Sequence, residues 1–323
     1  VTRCPVCGDR RAAAVWSLCD RYYPTPGVFE VRRCRPCRST FVADPPADLR
    51  PYYGAFYYSY DPQPPVRKAG LKPWIKRRVA ASPGLTRLVE VLPGRAPVDE
   101  RLAAAPPRPG ARVLDVGCGS GRALDAYRSA GWATFGVELD EAAARAARQR
   151  GHEVVAGPFG SLDPPCGPFD LVRLSHVLEH LPDPLGALHR ATGLVAPGGS
   201  VLVELPNLDG VLARVSGAAW WQLDPPRHLA IPRRAHLLAP LAGRFPIVAV
   251  STYSTGQGMA RTWFMWRERG RGPAGGRMWR MGEPWVPRGY RVLELAAEPL
   301  AVLTDLLARG DNLRILASGA RPA

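Results

Sequence analysis

No stretch of the 323-residue chain reaches about twenty consecutive apolar residues, so no membrane-spanning helix is expected. The N-terminus lacks a charged start followed by an apolar stretch and a cleavage site, so secretion is not expected either. Lysine is almost missing: Lys68, Lys72 and Lys76 are the whole complement. The net charge of +15 and the pI near 10.1 therefore rest on arginine, scattered along the chain with abundant alanine, glycine and proline. That dispersal reads as the codon bias of a GC-rich bacterial genome; a functional basic surface for nucleic acid or anionic lipid is the alternative.

Seven cysteines are present, an odd number that does not suit a closed disulfide framework. Four of them form Cys4-x-x-Cys7 and Cys34-x-x-Cys37, each in a turn with proline or glycine nearby. Two such knuckles separated by a short segment match tetrahedral zinc spacing, and four thiolates close the coordination sphere, so a structural ion is expected. Free thiols on two loops are the alternative. Cys19, Cys118 and Cys166 remain over, and an unpaired, reduced set fits the cytoplasm.

The glycine-rich loop near residue 117 does not follow the dinucleotide fingerprint Gly-x-Gly-x-x-Gly. Residues 113–121 instead read Val-Leu-Asp-Val-Gly-Cys-Gly-Ser-Gly, with arginine at position 122. An apolar strand, Arg112–Val116, runs into a loop with glycines at 117, 119 and 121 and then into a helix from about Arg122. Glycines permit the tight turn and a close approach of backbone to ligand, where free helix N–H groups also point. Glu138 ends a second apolar run about 20 residues beyond the first glycine, where a carboxylate can take ribose hydroxyls. Asp115 aims a negative charge at the loop, which would repel a pyrophosphate but attract an ammonium group.

This pattern resembles the class I methyltransferases that use S-adenosyl-L-methionine. Asp115, Gly117, Gly119 and Gly121 match the family's first motif and Glu138 its second. The resemblance implies that Asp115 and the loop, Cys118 included, hold the methionine end. It implies that Glu138 with Leu139 takes the ribose side, that Phe159 packs against the adenine, and that Ser175 borders the cofactor. Strings of the form Ser-His-x-Leu-Glu-His-Leu-x-Asp-Pro, Pro-Gly-Gly and Pro-Arg-His-Leu, between residues 110 and 255, resemble a large bacterial subgroup of these enzymes. The front of the chain, with its tyrosines at 52, 53, 57, 58 and 60, is similar to nucleotide-sugar C-methyltransferases, in which a zinc module helps frame the sugar site. That likeness implies a substrate contact for Tyr57. The chain departs from it in lacking length for a further C-terminal domain and in its Ser-His-Val-Leu-Glu-His segment, so O-methylation stands beside C-methylation.

The expected fold is α/β: a doubly wound, seven-stranded, Rossmann-like methyltransferase sheet with a small N-terminal zinc-binding module and a helical insertion before the last strand. Residues 1–60 form the zinc-ribbon-like module, with short strands at Ala13–Leu18 and Val28–Arg32. A Pro/Arg-rich helical linker spans 61–109, with helices near Trp74–Val79 and Leu85–Leu92. The cofactor-binding core covers 110–255, an Arg/Trp-rich insertion or lid 256–310, and the final strand 311–323. Core strands are expected at Arg112–Val116, Ala133–Glu138, His152–Ala156, Phe169–Leu174, Ser200–Glu204, Ile247–Tyr253 and Leu313–Ser318. Ala196-Pro-Gly-Gly199 reads as the turn into the fifth of these. Asp140 and Asp183 read as helix N-caps, and a late helix is expected near Val292–Ala308.

A sulfonium methyl group is already electrophilic, so the protein must mainly align donor and acceptor, exclude water and take a proton; the transfer itself requires no metal. His176 stands at the tip of the fourth core strand, where a base near neutral pKa would serve, or where it would shape the cofactor pocket. Glu179 and His180 read as holding the following turn. His176 and His180 as metal ligands would need a third ligand that is not evident. The tract Trp220-Trp221-Gln222-Leu223-Asp224-Pro225-Pro226-Arg227-His228 offers Trp221 and Arg227 to a polar, ring-shaped or anionic acceptor and His228 as a second catalytic candidate beside His176. The alternative is an anchored loop with Arg227 paired to Asp224.

Three classes follow. The first is methyl transfer to a hydroxyl or carbon of a small molecule, sugar or glycan precursor. The second is an RNA methyltransferase with a zinc-ribbon targeting module, which the charge favours. Against it, the fourth strand lacks Asn-Pro-Pro-aromatic, and Pro164-Pro165-Cys166 precedes that strand, so nucleic acid is not the expected partner. The third is a non-catalytic protein of a membrane surface, using Trp74 with its basic neighbours and Trp263, Phe264, Trp266, Trp279 and Trp285. The expected place is the cytoplasm, with peripheral contact at the inner face of the membrane left open, as is the oligomeric state.

Overall fold

The computed structural model describes residues 3–21, 25–53, 108–160, 167–268 and 289–321. The expected helices near 74–79 and 85–92, and Tyr57, Cys166, Trp279 and Trp285, lie outside them.

Seven strands form the main sheet: β4 (Arg112–Val116), β5 (Ala133–Glu138), β6 (Glu153–Ala156), β7 (Phe169–Ser175), β8 (Val195–Pro206), β10 (Ile247–Tyr253) and β11 (Asn312–Ser318). Their spatial order is β10-β11-β8-β7-β4-β5-β6. The pairs from β8 through β6 are parallel, while β11 runs antiparallel to both β8 and β10. This is a seven-stranded, Rossmann-like α/β sheet, with an antiparallel hairpin closing one edge. Strand order reverses between β4 and β7, which makes the carboxyl ends of those strands the switch point where ligands bind in open α/β sheets.

Alternation within each strand explains the double winding. Leu114, Val116, Val172, Leu174, Val201 and Val203 pack on one face with α3 (Pro184–Gly193) and α5 (Arg234–Ala242), through Leu188, Leu237 and Leu241. Val113, Leu171 and Leu202 pack on the other with α1 (Arg122–Ser129) and α2 (Glu141–Gln149), through Leu124, Tyr127, Ala144 and Ala147. Each fully buried leucine contributes about 1.5–3 kcal/mol to this arrangement. The caps stand as expected: Asp140 accepts from the Ala143 amide at 2.8 Å and Asp183 from the Gly186 amide at 2.9 Å, with Pro184 leading α3.

Ala196–Gly199 is not a turn before β8 but an excursion inside it. Phe169 pairs with Val195 and Leu171 with Ser200, so residues 196–199 bulge out. Gly198, at φ +79°, donates its amide to Ala320 instead.

The second sheet joins two segments far apart in the chain. It contains β1 (Ala12–Leu18), β2 (Phe29–Cys34), β3 (Thr40–Val42) and, from the far side of the core sequence, β9 (Ala230–Ile231). Thr40 pairs with Ile231 and Phe41 with Ala230, so the tract after β8 completes the N-terminal module. Neither β3 nor β9 carries a run long enough to signal a strand by alternation. The segment before the last strand holds two helices, α6 (Gly256–Glu268) and α7 (Tyr290–Leu306), of which the first was not expected; α4 (Val211–Ser216) precedes them. Among the described residues no helix is long and apolar enough to cross a membrane.

Candidate active site

The loop after β4 turns on glycines that no other residue replaces without strain. Gly117 (φ +69°), Gly119 (+53°) and Gly121 (+81°) all lie in the left-handed region. A Cβ on Gly117 would stand 2.7 Å from Cγ2 of Val177, so the position is closed sterically as well. The turn brings the Gly119 amide to 2.8 Å from Oε2 of Glu138, while the Asp140 amide donates to Oε1 at 2.9 Å. Glu138 is thus held by two backbone donors at the carboxyl end of β5, and each oxygen keeps a lone pair for another donor. Burial pushes its carboxyl pKa up, against the pull of the two amides. Beside it, Leu139 is 67% exposed.

Asp115 lies on β4 directly across from Arg173 on β7, and Arg173 Nη1 donates to its Oδ1 at 2.8 Å. Both side chains are buried. The negative charge read from the sequence is therefore balanced by an arginine that the apolar look of β7 concealed. Cys118 is buried, and burial next to Asp115 and Glu138 pushes its thiol pKa up, so it packs as a neutral group. Phe159 is buried in the core with the Arg190 guanidinium 5.6 Å from its ring centre.

Ser175 ends β7 and donates to Oε2 of Glu204 at 2.8 Å. Glu204 on β8 also accepts from Arg314 of β11, and despite burial the charges of Arg314 and Arg173 hold its carboxyl below the usual carboxylate range. The next residue, His176, adopts φ +53°, uncommon for a side chain of this size. Its amide donates to the Glu204 carbonyl at 2.8 Å. The ring stands between Glu179, Nδ1 to Oε1 at 3.2 Å, and Tyr253, Nε2 to the hydroxyl at 3.3 Å. Burial alone would lower the His176 pKa, but the Glu179 carboxylate outweighs it and raises it. In return His176 holds Glu179 ionised although no part of that carboxylate is exposed. Tyr253, at the end of β10, was not expected here; only the sheet order brings it beside β7's tip.

The tract after β8 divides its residues between scaffold and site. Asp311 accepts from the indoles of Trp220 at 2.6 Å and Trp221 at 2.8 Å and from Gln222 at 2.8 Å. Arg227 is 1% exposed, and its guanidinium donates to Asp20, Asp224 and the Tyr52 carbonyl. Its donors are engaged within the protein, as the anchored-loop alternative requires, and it does not present them to an acceptor. His228 donates from Nδ1 to the Gln222 carbonyl at 2.7 Å and its ring meets that of His180 edge-on at 4.6 Å. Burial, with His228 beside it, pushes the His180 pKa down to about 4. Tyr53 places its hydroxyl 3.0 Å from Nδ1 of His180, so the N-terminal module reaches the edge of the site.

In the module itself Cys4, Cys7, Cys34 and Cys37 converge. Sγ of Cys4 lies 3.6 Å from that of Cys37, and Sγ of Cys7 lies 3.5 Å from that of Cys34. Those separations are far beyond a disulfide and close to the edge of a tetrahedron of sulfurs about 2.3 Å from a central ion.

A methyltransferase-domain family matches residues 92–242. The chain is 36% identical over 110 residues to a ubiquinone biosynthesis O-methyltransferase of Thiobacillus denitrificans, across 31% of this chain and 47% of that protein. Its counterpart in Ralstonia nicotianae is 33% identical over 125 residues, across 35% of this chain and 52% of that one. The chain thus spans about half the length of the curated relatives it matches. Among solved structures, a SAM-dependent methyltransferase from Archaeoglobus fulgidus superposes with a TM-score of 0.45 at 18% identity, covering 76% of this chain and 98% of that chain.

Proposed function

We propose that this chain, which carries a methyltransferase domain, is a class I enzyme that moves the methyl group of S-adenosyl-L-methionine to a hydroxyl of a small molecule, sugar or glycan precursor. The observation that carries this reading is the joint between loop and strand. The Gly119 amide fixes Glu138 at the tip of β5, beside a glycine turn of which Gly117 stands exposed. Glu138 takes the ribose hydroxyls, Leu139 flanks the base, and the 117–121 loop with Asp115 receives the methionine end. Phe159 supports this wall from the core side.

When bound, the cofactor supplies an electrophilic methyl group on sulfur. His176 takes the proton of the acceptor hydroxyl at Nε2, with Nδ1–H directed to Glu179. In the free protein the Tyr253 hydroxyl occupies that nitrogen, and an acceptor hydroxyl replaces it. The strained backbone of His176 fits a side chain aimed for use. Trp221 and His228 wall the acceptor side, and the acceptor contact expected of Tyr57 lies outside the described residues. The names of the curated relatives favour oxygen over carbon as the methylated atom. Zinc in the four-thiol cluster braces the module.

The reading places the enzyme in the cytoplasm. Val292, Leu295, Leu303 and Leu306 on α7 and Trp263 and Trp266 on α6 are exposed, and the Arg267 guanidinium lies over the Trp263 ring. They suit peripheral contact with an anionic membrane surface. Co-flotation with anionic vesicles at low salt tests that contact, and its absence removes it.

Methyl-labelled S-adenosylmethionine offered with catechols, nucleotide sugars and lipid-linked sugars tests the activity. The expected result is label transfer to one acceptor class, lost in His176→Ala. Transfer to RNA alone, or to no acceptor class while the cofactor binds, overturns it.

A further inference from the structure

Beside the proposed base lies a group of side chains whose arrangement a base alone does not explain. We propose that Glu179, His180 and His228 bind a divalent transition-metal ion, at a site separate from the four thiols.

One ligand atom from each of the three lies within 4.8 Å of the others. Atoms bonded to one ion at about 2.0–2.2 Å stand roughly 3–4 Å apart, so small side-chain rotations close the set. Glu179 is fully buried. Its Oε1 faces His176, and its Oε2 has no hydrogen-bond partner among the described residues. A buried carboxylate oxygen left bare is costly, and a cation is the ligand that satisfies it.

The two imidazoles are set as ligands are. His180 Nδ1 lies 3.1 Å from the Arg227 carbonyl and 3.0 Å from the Tyr53 hydroxyl, and His228 Nδ1 lies 2.7 Å from the Gln222 carbonyl. A carbonyl oxygen only accepts, so each Nδ1 carries the proton and each Nε2 keeps its lone pair. Backbone carbonyls on the far nitrogen are the usual means of fixing the tautomer and aim of a metal-binding histidine. Both Nε2 atoms lack a hydrogen-bond partner among the described residues.

Two imidazoles and one carboxylate suit Mn²⁺, Fe²⁺, Co²⁺ or Zn²⁺, and three protein ligands leave positions open. Because Glu179 bridges to His176 through its other oxygen, an ion here would lie one carboxylate away from the proposed base. The ligands come from the single turn Leu178–His180 and from the Pro-Arg-His tract, two segments brought together by the sheet.

Binding of metal is measured directly, so the outcome is independent of whether methyl transfer is observed. The full chain, loaded with a single equivalent of zinc, which the four thiolates take, is titrated with Mn²⁺, read by loss of the free-ion EPR signal, and separately with Co²⁺, read by its visible absorption. Neither probe at stoichiometric level displaces zinc readily from four thiolates. One ion per chain is expected, with binding weakened at least tenfold in each of Glu179→Gln, His180→Gln and His228→Gln, and unchanged in His236→Asn. Should Glu179→Gln fail to fold, the two histidine variants decide. Failure of both ions to bind the folded wild type overturns the site, as does undiminished binding in the folded histidine variants.

Discussion

Arg227 and Asp20, 207 positions apart in the chain, form a buried two-point ion pair with contacts of 2.7 and 2.8 Å. The same guanidinium grips Asp224 and the Tyr52 carbonyl, so one side chain ties the N-terminal module to the tract that follows β8. Breaking this pair by removing one partner leaves two carboxylates without their cation. Arg227→Met is expected to destabilise the fold by about 3–5 kcal/mol, measured by urea denaturation. A loss below about 1 kcal/mol would mean the pair is replaceable by water and the module is not held this way.

At Gly117 backbone and side-chain limits coincide: φ is +69° and a Cβ would press on Val177. Gly117→Ala is expected to cost about 1–3 kcal/mol in stability and to weaken cofactor binding, because the loop must move to relieve the contact. Gly160→Ala, where nothing lies within 4 Å of the added Cβ, serves as the control and is expected to leave melting and cofactor affinity unchanged.

Acid should act through Glu204. Its folded pKa lies below the ordinary 4.5 because Arg314 and Arg173 outweigh burial, so its unfolded form binds the proton first as pH falls. The stability it contributes is complete above about pH 4.5 and is lost as pH drops through its lower folded pKa. Arg314→Leu is expected to destabilise the protein at pH 7 and to flatten the acid limb of the stability curve. An unchanged acid limb, followed by denaturation from pH 7 to 3, would contradict this.

Chelation should be felt outside the thiol cluster. Removing zinc is expected to release β2 and β3, and with them the pairing of Thr40 and Phe41 to Ile231 and Ala230. Hydrogen exchange at residues 230–231 would then rise together with that of the module, while β4 and β7 stay protected. Exchange confined to residues before 43 would show that β9 holds without the module.

What could be read from the chain alone follows from how local the signal is. The parallel strands and both aspartate caps announce themselves by apolar runs and by residues within a few positions, and Arg112–Val116, Ala133–Glu138 and Ile247–Tyr253 stand where expected. Glu138 and the glycine loop were visible because spacing alone brings them together. The partners were not: Arg173 looks like an isolated polar residue in an apolar strand until the pairing places it across from Asp115. Tyr253 meets His176 only through the sheet order, and Asp20 meets Arg227 only through a two-residue strand with no periodicity of its own. A third ligand near His180 was hidden for the same reason, since His228 belongs to a different segment.

The central claim is that the carboxyl edge of β4, β5 and β7 binds S-adenosylmethionine. Calorimetric titration of the zinc-loaded wild type, Glu138→Ala and Asp115→Ala tests it most directly. Micromolar binding to the wild type that is lost in both variants, with both still folded, is the result predicted. A folded, zinc-loaded wild type that takes up no cofactor would contradict the account.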